Sequence, residues 1–267
     1  MPKRRGAKLR KRAGKPSRPI RNAEFPEVSV IIPAMNERRA IAAVIAEAAR
    51  VHPSTEVIVV ANGSTDGTAQ AARRMGARVL SYDEALGHDV GRSIGAREAK
   101  GRVLLFTDAD IVIPARDLQP LVHAVASGGA DIALNTYLGP VAKAQVHSVI
   151  LAKHALNIFA GRADLKGASM TTIPHAISRG ARDAIGCDHL AVPPLAQAIA
   201  LQQGLVVRGI HYVEVGRRNR RRRRGKTKDP LERLIVGDHL EALDWTIDRV
   251  GPRGGRADAS RSRELVR

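Results

Sequence analysis

Aromatic residues are scarce in this 267-residue chain, which has three Phe, three Tyr and one Trp. Its core must therefore be built from aliphatic and small side chains. Base-stacking platforms of the kind that grip single-stranded nucleic acid are not supported. Cysteine is almost missing as well. Cys187 stands alone, so no intramolecular disulfide can form, which fits a reducing compartment. It reads as a small buried side chain, since nothing near it in sequence would activate a thiolate. There is no run of about 18 apolar residues, so no membrane-spanning helix is expected. The basic N-terminus lacks the apolar stretch that would make it a secretory signal.

Acidic residues are absent from two stretches, and this explains the charge. The formal net charge is +18. Residues 1–21 hold ten Lys/Arg and residues 217–228 hold nine, with no acid in either. The rest of the chain carries 25 basic and 26 acidic residues, close to neutrality. The excess thus sits in two short segments and not across a folded face. Residues 1–24 read as a disordered basic arm, residues 25–250 as one folded domain, and residues 251–267 as a polar frayed tail.

Hydrophobic residues make up 44% of the chain, enough for a sizeable core. Val28–Ile32 is a β-branched run stopped by Pro33. A helix is expected over 39–52, with Ile41, Val44, Ile45 and Ala48 on one face. Val57–Val60 gives a second strand, 68–75 a helix capped by Asp66, Val79-Leu80 a third strand, 90–100 a helix, and Val103–Phe106 a fourth strand. The strands are continuous apolar runs without alternation. Such runs predict an α/β fold with a mostly parallel sheet covered by helices on both faces. Ligands of such sheets bind beyond the carboxyl ends of the strands. The second half is less regular, with helices expected at 145–160, 179–185, 194–203 and 230–249 and a strand at 206–212.

Three motifs fall at those strand ends. After the fourth strand comes Thr107-Asp108-Ala109-Asp110. Two carboxylates one residue apart, at the exposed end of a buried strand, can share a hard divalent cation, Mg²⁺ or Mn²⁺, which would in turn hold a diphosphate. Read blandly, the pair is a solvated turn before a helix. After the first strand comes Pro33-Ala34-Met35-Asn36-Glu37, which can equally be an ordinary turn with a polar cap. After the second comes Asn62-Gly63-Ser64-Thr65-Asp66-Gly67. Its glycines let backbone approach a ligand, and Asn62 or Asp66 can accept from a base or ribose, or Asp66 can simply cap the helix. Gly87-His88-Asp89-Val90-Gly91-Arg92 opens another helix, where amides and Arg92 can meet a diphosphate, or where a turn simply carries an exposed arginine.

Taken together and in this order, Val28–Glu37, Ala61–Thr68 and Leu105–Asp110 resemble the family 2 glycosyltransferases, enzymes of the GT-A fold. The resemblance covers about residues 28–135 as a nucleotide-binding half. It implies that Pro33, Ala34, Asn36 and Glu37 line a donor nucleotide and that Asn62 lies near its base. It implies that Asp108 and Asp110 serve ribose, diphosphate and metal as the catalytic and metal-binding pair. Residues 136–250 would form the acceptor half, where Gly167-Ala168-Ser169 falls at the family's acceptor-side backbone or forms a buried small-residue strand; Lys166 and His175 lie nearby. The implied reaction moves a sugar from a nucleoside-diphosphate sugar to an acceptor hydroxyl, the acceptor being unidentified and open to an anionic class.

Two departures matter. The family often has two acids where this chain has Ala61-Asn62, which leaves the base unspecified. Many inverting members also carry a Glu-Asp pair about a dozen residues before the equivalent of Gly204, the Asp acting as general base. Here that place holds Val192-Pro193-Pro194-Leu195. A weaker C-terminal likeness to glucosyl-3-phosphoglycerate synthases, retaining GT-A enzymes that need no such base, keeps both stereochemical outcomes open. Those enzymes hold the metal partly through a His in a late Arg-rich stretch. Here Gly216–Arg220 contains none, and His211 lies upstream. The missing pair also admits a non-catalytic nucleotide-sugar-binding relative. The five-Arg run Arg220–Arg224 admits capture of acidic lipid or polymer, or a nucleic-acid-associated protein held through phosphates alone. A nucleotidyltransferase is disfavoured, because its first loop would be Gly-rich with an Arg. The expected setting is cytoplasmic, with peripheral contact to acidic lipids at the inner face of the membrane and no specific nucleic acid partner.

Overall fold

The computed structural model describes residues 18–139, 141, 146–216, 230–262 and 265. The β-branched run forms β1 (Val28–Ala34), buried along nearly its whole length. It pairs in parallel with β2 (Thr55–Asn62) on one side and β4 (Val103–Phe106) on the other, and β3 (Arg78–Tyr82) extends the sheet beyond β2. The full sheet has seven strands in the order β3-β2-β1-β4-β6-β5-β7. β6 (His175–Ser178) is antiparallel to both neighbours, while β5 (Ile132–Asn135) and β7 (Val207–His211) are parallel to each other. The carboxyl ends of β1, β2, β4, β5 and β7 therefore share one edge of the sheet, and β6 begins there.

Alternation along the strands feeds two cores. Val28, Val30 and Ile32 of β1 face α1 (Ile41–Ala48) and α4 (Ala115–Ala126), while Ile31, Ile58, Leu104 and Phe106 face the opposite layer. That second layer contains α3 (Val90–Glu98), α5 (Ser148–Phe159), α6 (Arg179–Ile185), α7 (Pro193–Gln202) and α8 (Pro230–Val250). The core is aliphatic, as the aromatic scarcity requires. α2 (Thr68–Arg74) follows β2, and short 3-10 turns at Ala163–Leu165 and Cys187–Ala191 complete the element order.

The mostly parallel α/β fold expected from the sequence is what forms. Several details differ. α1 is shorter than expected, since residues 37–40 make turns ahead of it. The Asp66 carboxylate does receive the Thr68 amide at 3.0 Å, but Gly67, in the left-handed region, is the N-cap residue. Gly167–Met170 is buried, yet it is loop and not strand; the strand is β6, a few residues later. Residues 18–24 are not a loose arm. Ile20 donates to the Met75 carbonyl, Ala23 to that of Thr55, and Asn22 bonds Val57 through both its oxygen and its nitrogen. Residues 251–262 are held as well, with Arg256 reaching the carbonyls that end α5. Residues 1–17 and the Arg-rich stretch 217–228 lie outside the described residues.

Candidate functional site

α3 brings the parts of the site together. It packs so closely on the sheet that a Cβ on Gly91 would stand 3.1 Å from Pro33 Cβ, and one on Gly95 would overlap the Ile31 side chain. A side chain at Gly95 would force Ile31 to shift, and one at Gly91 would be tight against Pro33. The helix therefore lies flat against β1, and Arg92 in its first turn points at the end of β4. Arg92 is buried. Its Nε stands 3.1 Å from Asp89 Oδ1, one terminal nitrogen stands 3.7 Å from Asp108 Oδ1, and the other donates to the Met170 carbonyl at 3.3 Å. The exposed-turn reading of this arginine does not hold.

Asp108 and Asp110 follow β4 directly. The Asp108 side chain keeps 38% of its surface accessible, yet it sits in a recess crowded enough that desolvation is the main influence on it. Its pKa is raised above the usual carboxylate value, first by that desolvation and against the pull of Arg92, with Asp110 and Asp89 adding repulsion. Ala109 between them is buried, which turns the two carboxylates outward from a common anchor. Behind Asp108, the His175 ring stacks on Phe106 at 4.9 Å between centroids. Burial lowers the His175 pKa to about 3, so it is a neutral wall at physiological pH.

The first two loops are stitched to each other. Asn36 has a left-handed backbone (φ 57°), and its side chain accepts from the Thr65 amide at 2.9 Å. The Glu37 amide donates to Thr68 Oγ1 at 2.8 Å and the Arg38 amide to Asp66 at 3.0 Å. Asn62 is buried, with its oxygen taking the Leu86 amide and its nitrogen donating to the Gly87 carbonyl at 3.0 Å. Gly63 (φ 60°) lets Ala85 come close above it. Thus Pro33, Ala34, Asn36, Glu37, Asn62, Gly63, Asp66 and Gly87 gather at one edge with Arg92, Asp108 and Asp110. Asn36, Asn62 and Asp66, however, spend side-chain capacity holding loops, so what they offer a ligand is chiefly shape and backbone.

The acceptor-side segment is held from two directions. From behind, the Asn157 amide nitrogen donates to the carbonyls of Lys166 and Ala168 at 2.8 and 3.0 Å, and Gln197 bridges Asn157 to the Met170 amide. From the front it is gripped by Arg92. Ser169 is buried, its hydroxyl turned to Thr171. A cavity of about 390 Å³ lined by Arg162, Lys166, Ala168 and Arg208 opens beside this segment, not over Asp108. Val192–Leu195 begins α7, with Pro193–Leu195 buried, so the place where inverting relatives carry an acid offers none.

Reasoning from sequence missed Asp89, Lys153 and Asp238. Asp89 was hidden inside a loop read for its glycines. Asp238 of α8 is brought within electrostatic range of Asp89 and His88; burial first, then repulsion from Asp89 and Glu241, raises its pKa against the pull of His88. Lys153 carries a signal, because it falls in helical phase with Ile150 and Asn157 on the inward side of α5.

The donor set suits a divalent ion. Among the described residues no three His, Cys, Asp or Glu converge as a ready-made cage. Two carboxylates one residue apart, Asp110 raising the proton affinity of Asp108, nevertheless fit the Mg²⁺ pattern, in which one or two protein carboxylates are completed by phosphate and water.

Comparison with known proteins agrees with this fold. Residues 29–152 match the sequence model for glycosyl transferase family 2. Glycosyltransferase AglE of Haloferax volcanii is 34% identical over 116 residues, covering 40% of this chain and 38% of that protein. Glucosyl-3-phosphoglycerate synthase of Mycobacterium tuberculosis is 32% identical over 138 residues, covering 47% and 42%. The chain thus spans less than half the length of these curated relatives. The crystal structure of the mycobacterial synthase in complex with Mn²⁺, uridine diphosphate and glucosyl-3-phosphoglycerate superposes with a TM-score of 0.57 at 21% identity, covering 88% of this chain and 82% of that one. The chain therefore resembles the family 2 glycosyltransferases over residues 29–152 and carries the GT-A fold.

Proposed function

We propose that this protein is a metal-dependent glycosyltransferase that moves a sugar from a nucleoside-diphosphate sugar to an acceptor hydroxyl. The observation that carries the reading is the placement of Asp108 and Asp110 just after β4, with Asp108 beside a buried arginine from the start of α3. Asp108 and Asp110 would hold Mg²⁺ or Mn²⁺, which when bound supplies charge neutralisation for the departing diphosphate. Arg92 adds a fixed cation aimed at the same place, held in line by Asp89 so that no reorganisation is needed as charge develops. Pro33, Ala34, Asn36, Glu37, Asn62, Gly63, Asp66 and Gly87 shape the slot for the nucleotide. Gly167, Ala168 and Ser169 form the acceptor side, which Arg92 ties to the donor side through Met170.

The relatives named above include synthases whose crystals hold uridine diphosphate, and this makes UDP-sugars the first donors to try. The test is thermal melting against a panel of UDP- and GDP-sugars with Mn²⁺, followed by donor hydrolysis. A melting shift and turnover that both vanish in Asp110→Ala support the reading. A panel that shifts nothing, with or without metal, overturns it.

A second reading, a binding relative without turnover, is favoured by the absence of an acid at Val192–Leu195 and by Gln197 being locked into the Asn157 network. It predicts melting shifts with no hydrolysis or transfer for any donor. We also propose a cytoplasmic setting with peripheral contact to acidic lipid through the basic segments. No helix among the described residues is long and apolar enough to cross a membrane.

A further inference from the structure

Lys153 projects from α5 towards the segment that leads into β6. Its ammonium donates to Thr172 Oγ1 at 2.6 Å. The charge that acts on it is the like charge of Arg92, and burial with that repulsion lowers its pKa to about 8. Among the described residues no carboxylate pairs with it. Beside it, from α8, lies the fully buried His239. The His239 Nδ1 meets the Ile235 carbonyl at 2.6 Å, while Nε2 has no partner. The Lys153 charge acts on this ring as well.

Such an arrangement is costly for a protein at rest. An ammonium taken out of water loses several kcal/mol of hydration unless an opposite charge is supplied. Holding Thr172 does not require the charge, since a neutral donor would serve a hydroxyl equally well. Lys153 still keeps part of its surface accessible. Its surroundings adjoin the cleft already described, because Arg92 touches Asp108 and Met170 and acts on Lys153 and His175 together. Donor diphosphate belongs with Asp108, Asp110 and the start of α3. Lys153 stands on the other flank, against Thr172 at the end of the acceptor segment.

We propose that Lys153 determines acceptor specificity: its ammonium, with the Thr172 hydroxyl beside it and the His239 ring behind, receives a carboxylate or phosphate borne by the acceptor. This rests on the donor-site reading above, since it uses the same cleft. The acceptor's anion then completes the charge that the fold leaves unmatched, and its hydroxyl is presented towards the donor with Arg92 between the two subsites.

The full chain, saturated with UDP and Mg²⁺, is titrated with inorganic phosphate by calorimetry and compared with Lys153→Met, Lys153→Gln and Lys153→Arg, each checked for folding by circular dichroism. Phosphate affinity is expected to fall at least about 10-fold in the Met and Gln variants and to stay within about threefold in the Arg variant, because the charge-assisted bonds are the ones removed or kept. UDP affinity should change less than about twofold in all three, as the ammonium lies outside the diphosphate contacts. A parallel arm measures sedimentation with phosphatidylcholine vesicles containing phosphatidic acid. Lys153-dependent sedimentation assigns the anion to a lipid headgroup, and dependence in the phosphate titration alone assigns it to a soluble acid. The inference is overturned if UDP binds normally while phosphate and vesicles are bound equally by the Met, Gln and unsubstituted chains. Failure of the unsubstituted chain to bind UDP overturns the donor reading, and this one with it.

Discussion

The two ends of the sheet treat buried polar groups in opposite ways. At the amino ends of β1 and β2, the buried Glu56 carboxylate accepts from Ser29 Oγ at 2.6 Å and from the Lys100 amide at 2.7 Å. Ser29 Oγ in turn accepts from the Gly101 amide at 2.7 Å. Close by, Arg102 grips Glu27, and that hydrogen bond holds the Glu27 pKa below its ordinary value. At the carboxyl ends the accounts are open. Asp108 is pushed up, Lys153 is pushed down, and the two buried side-chain atoms without a partner among the described residues, Thr107 Oγ1 and His239 Nε2, lie on this side. One end is satisfied internally and holds the fold; on the proposed function, the other is left for ligands to satisfy.

Substitutions at the two ends should therefore separate activity from stability. The largest effect is expected for Asp108→Asn: donor turnover falls about 100- to 1000-fold, in the range of losing one preorganised electrostatic contact, while the melting temperature at pH 7 is unchanged or higher. Steady-state hydrolysis and a melting scan on the same sample check both halves, and a large drop in melting temperature would erase the contrast. At the other end, Glu56→Ala strands the Ser29 hydroxyl and the Lys100 amide. It should cost about 2–3 kcal/mol in urea unfolding, with UDP affinity unchanged. Gly95→Ala should touch both properties. Its new methyl meets Ile31, costing on the order of 1–3 kcal/mol, and lifting α3 moves Arg92 from Asp108, so UDP affinity falls too.

The smallest effect is a pH slope. Burial lowers the His239 pKa from 6.5 to about 4, so folding favours the neutral ring. Its contribution is complete above pH 6.5 and is lost as pH falls through 4. His239→Leu should flatten the decline in unfolding free energy across that window, read from urea melts at a series of pH values. An unchanged slope would mean that His239 is not part of the open end.

The same contrast explains what the sequence could reveal. β1, β2 and β4 are continuous apolar runs because both their faces are covered, and this made the parallel sheet and its loop-bearing edge legible, along with Asp108 and Asp110. α4 was missed because Pro120 interrupts its pattern, and β5 and β6 because four residues carry too little periodicity. Asn62 was read as a ligand group, and Asp66 as a ligand group, a helix cap or both, since a polar residue at a strand end looks the same whether it holds a nucleotide or a neighbouring loop. Lys153 and Asp238 come from α5 and α8, far along the chain from the motifs, and the fold alone gathers them at the cleft.

The docking of residues 18–23 along the starts of β2 and the end of α2 has a mechanical meaning. Arg18, the first described residue, stands at the pole opposite the cleft, whereas Gly216 lies just past β7 on the cleft side. A surface that met the Arg18 pole would hold the molecule by its back with the mouth turned outward, and one that met the Gly216 side would face the mouth directly. Orientation on an acidic surface would then depend on which of these two sides it contacts.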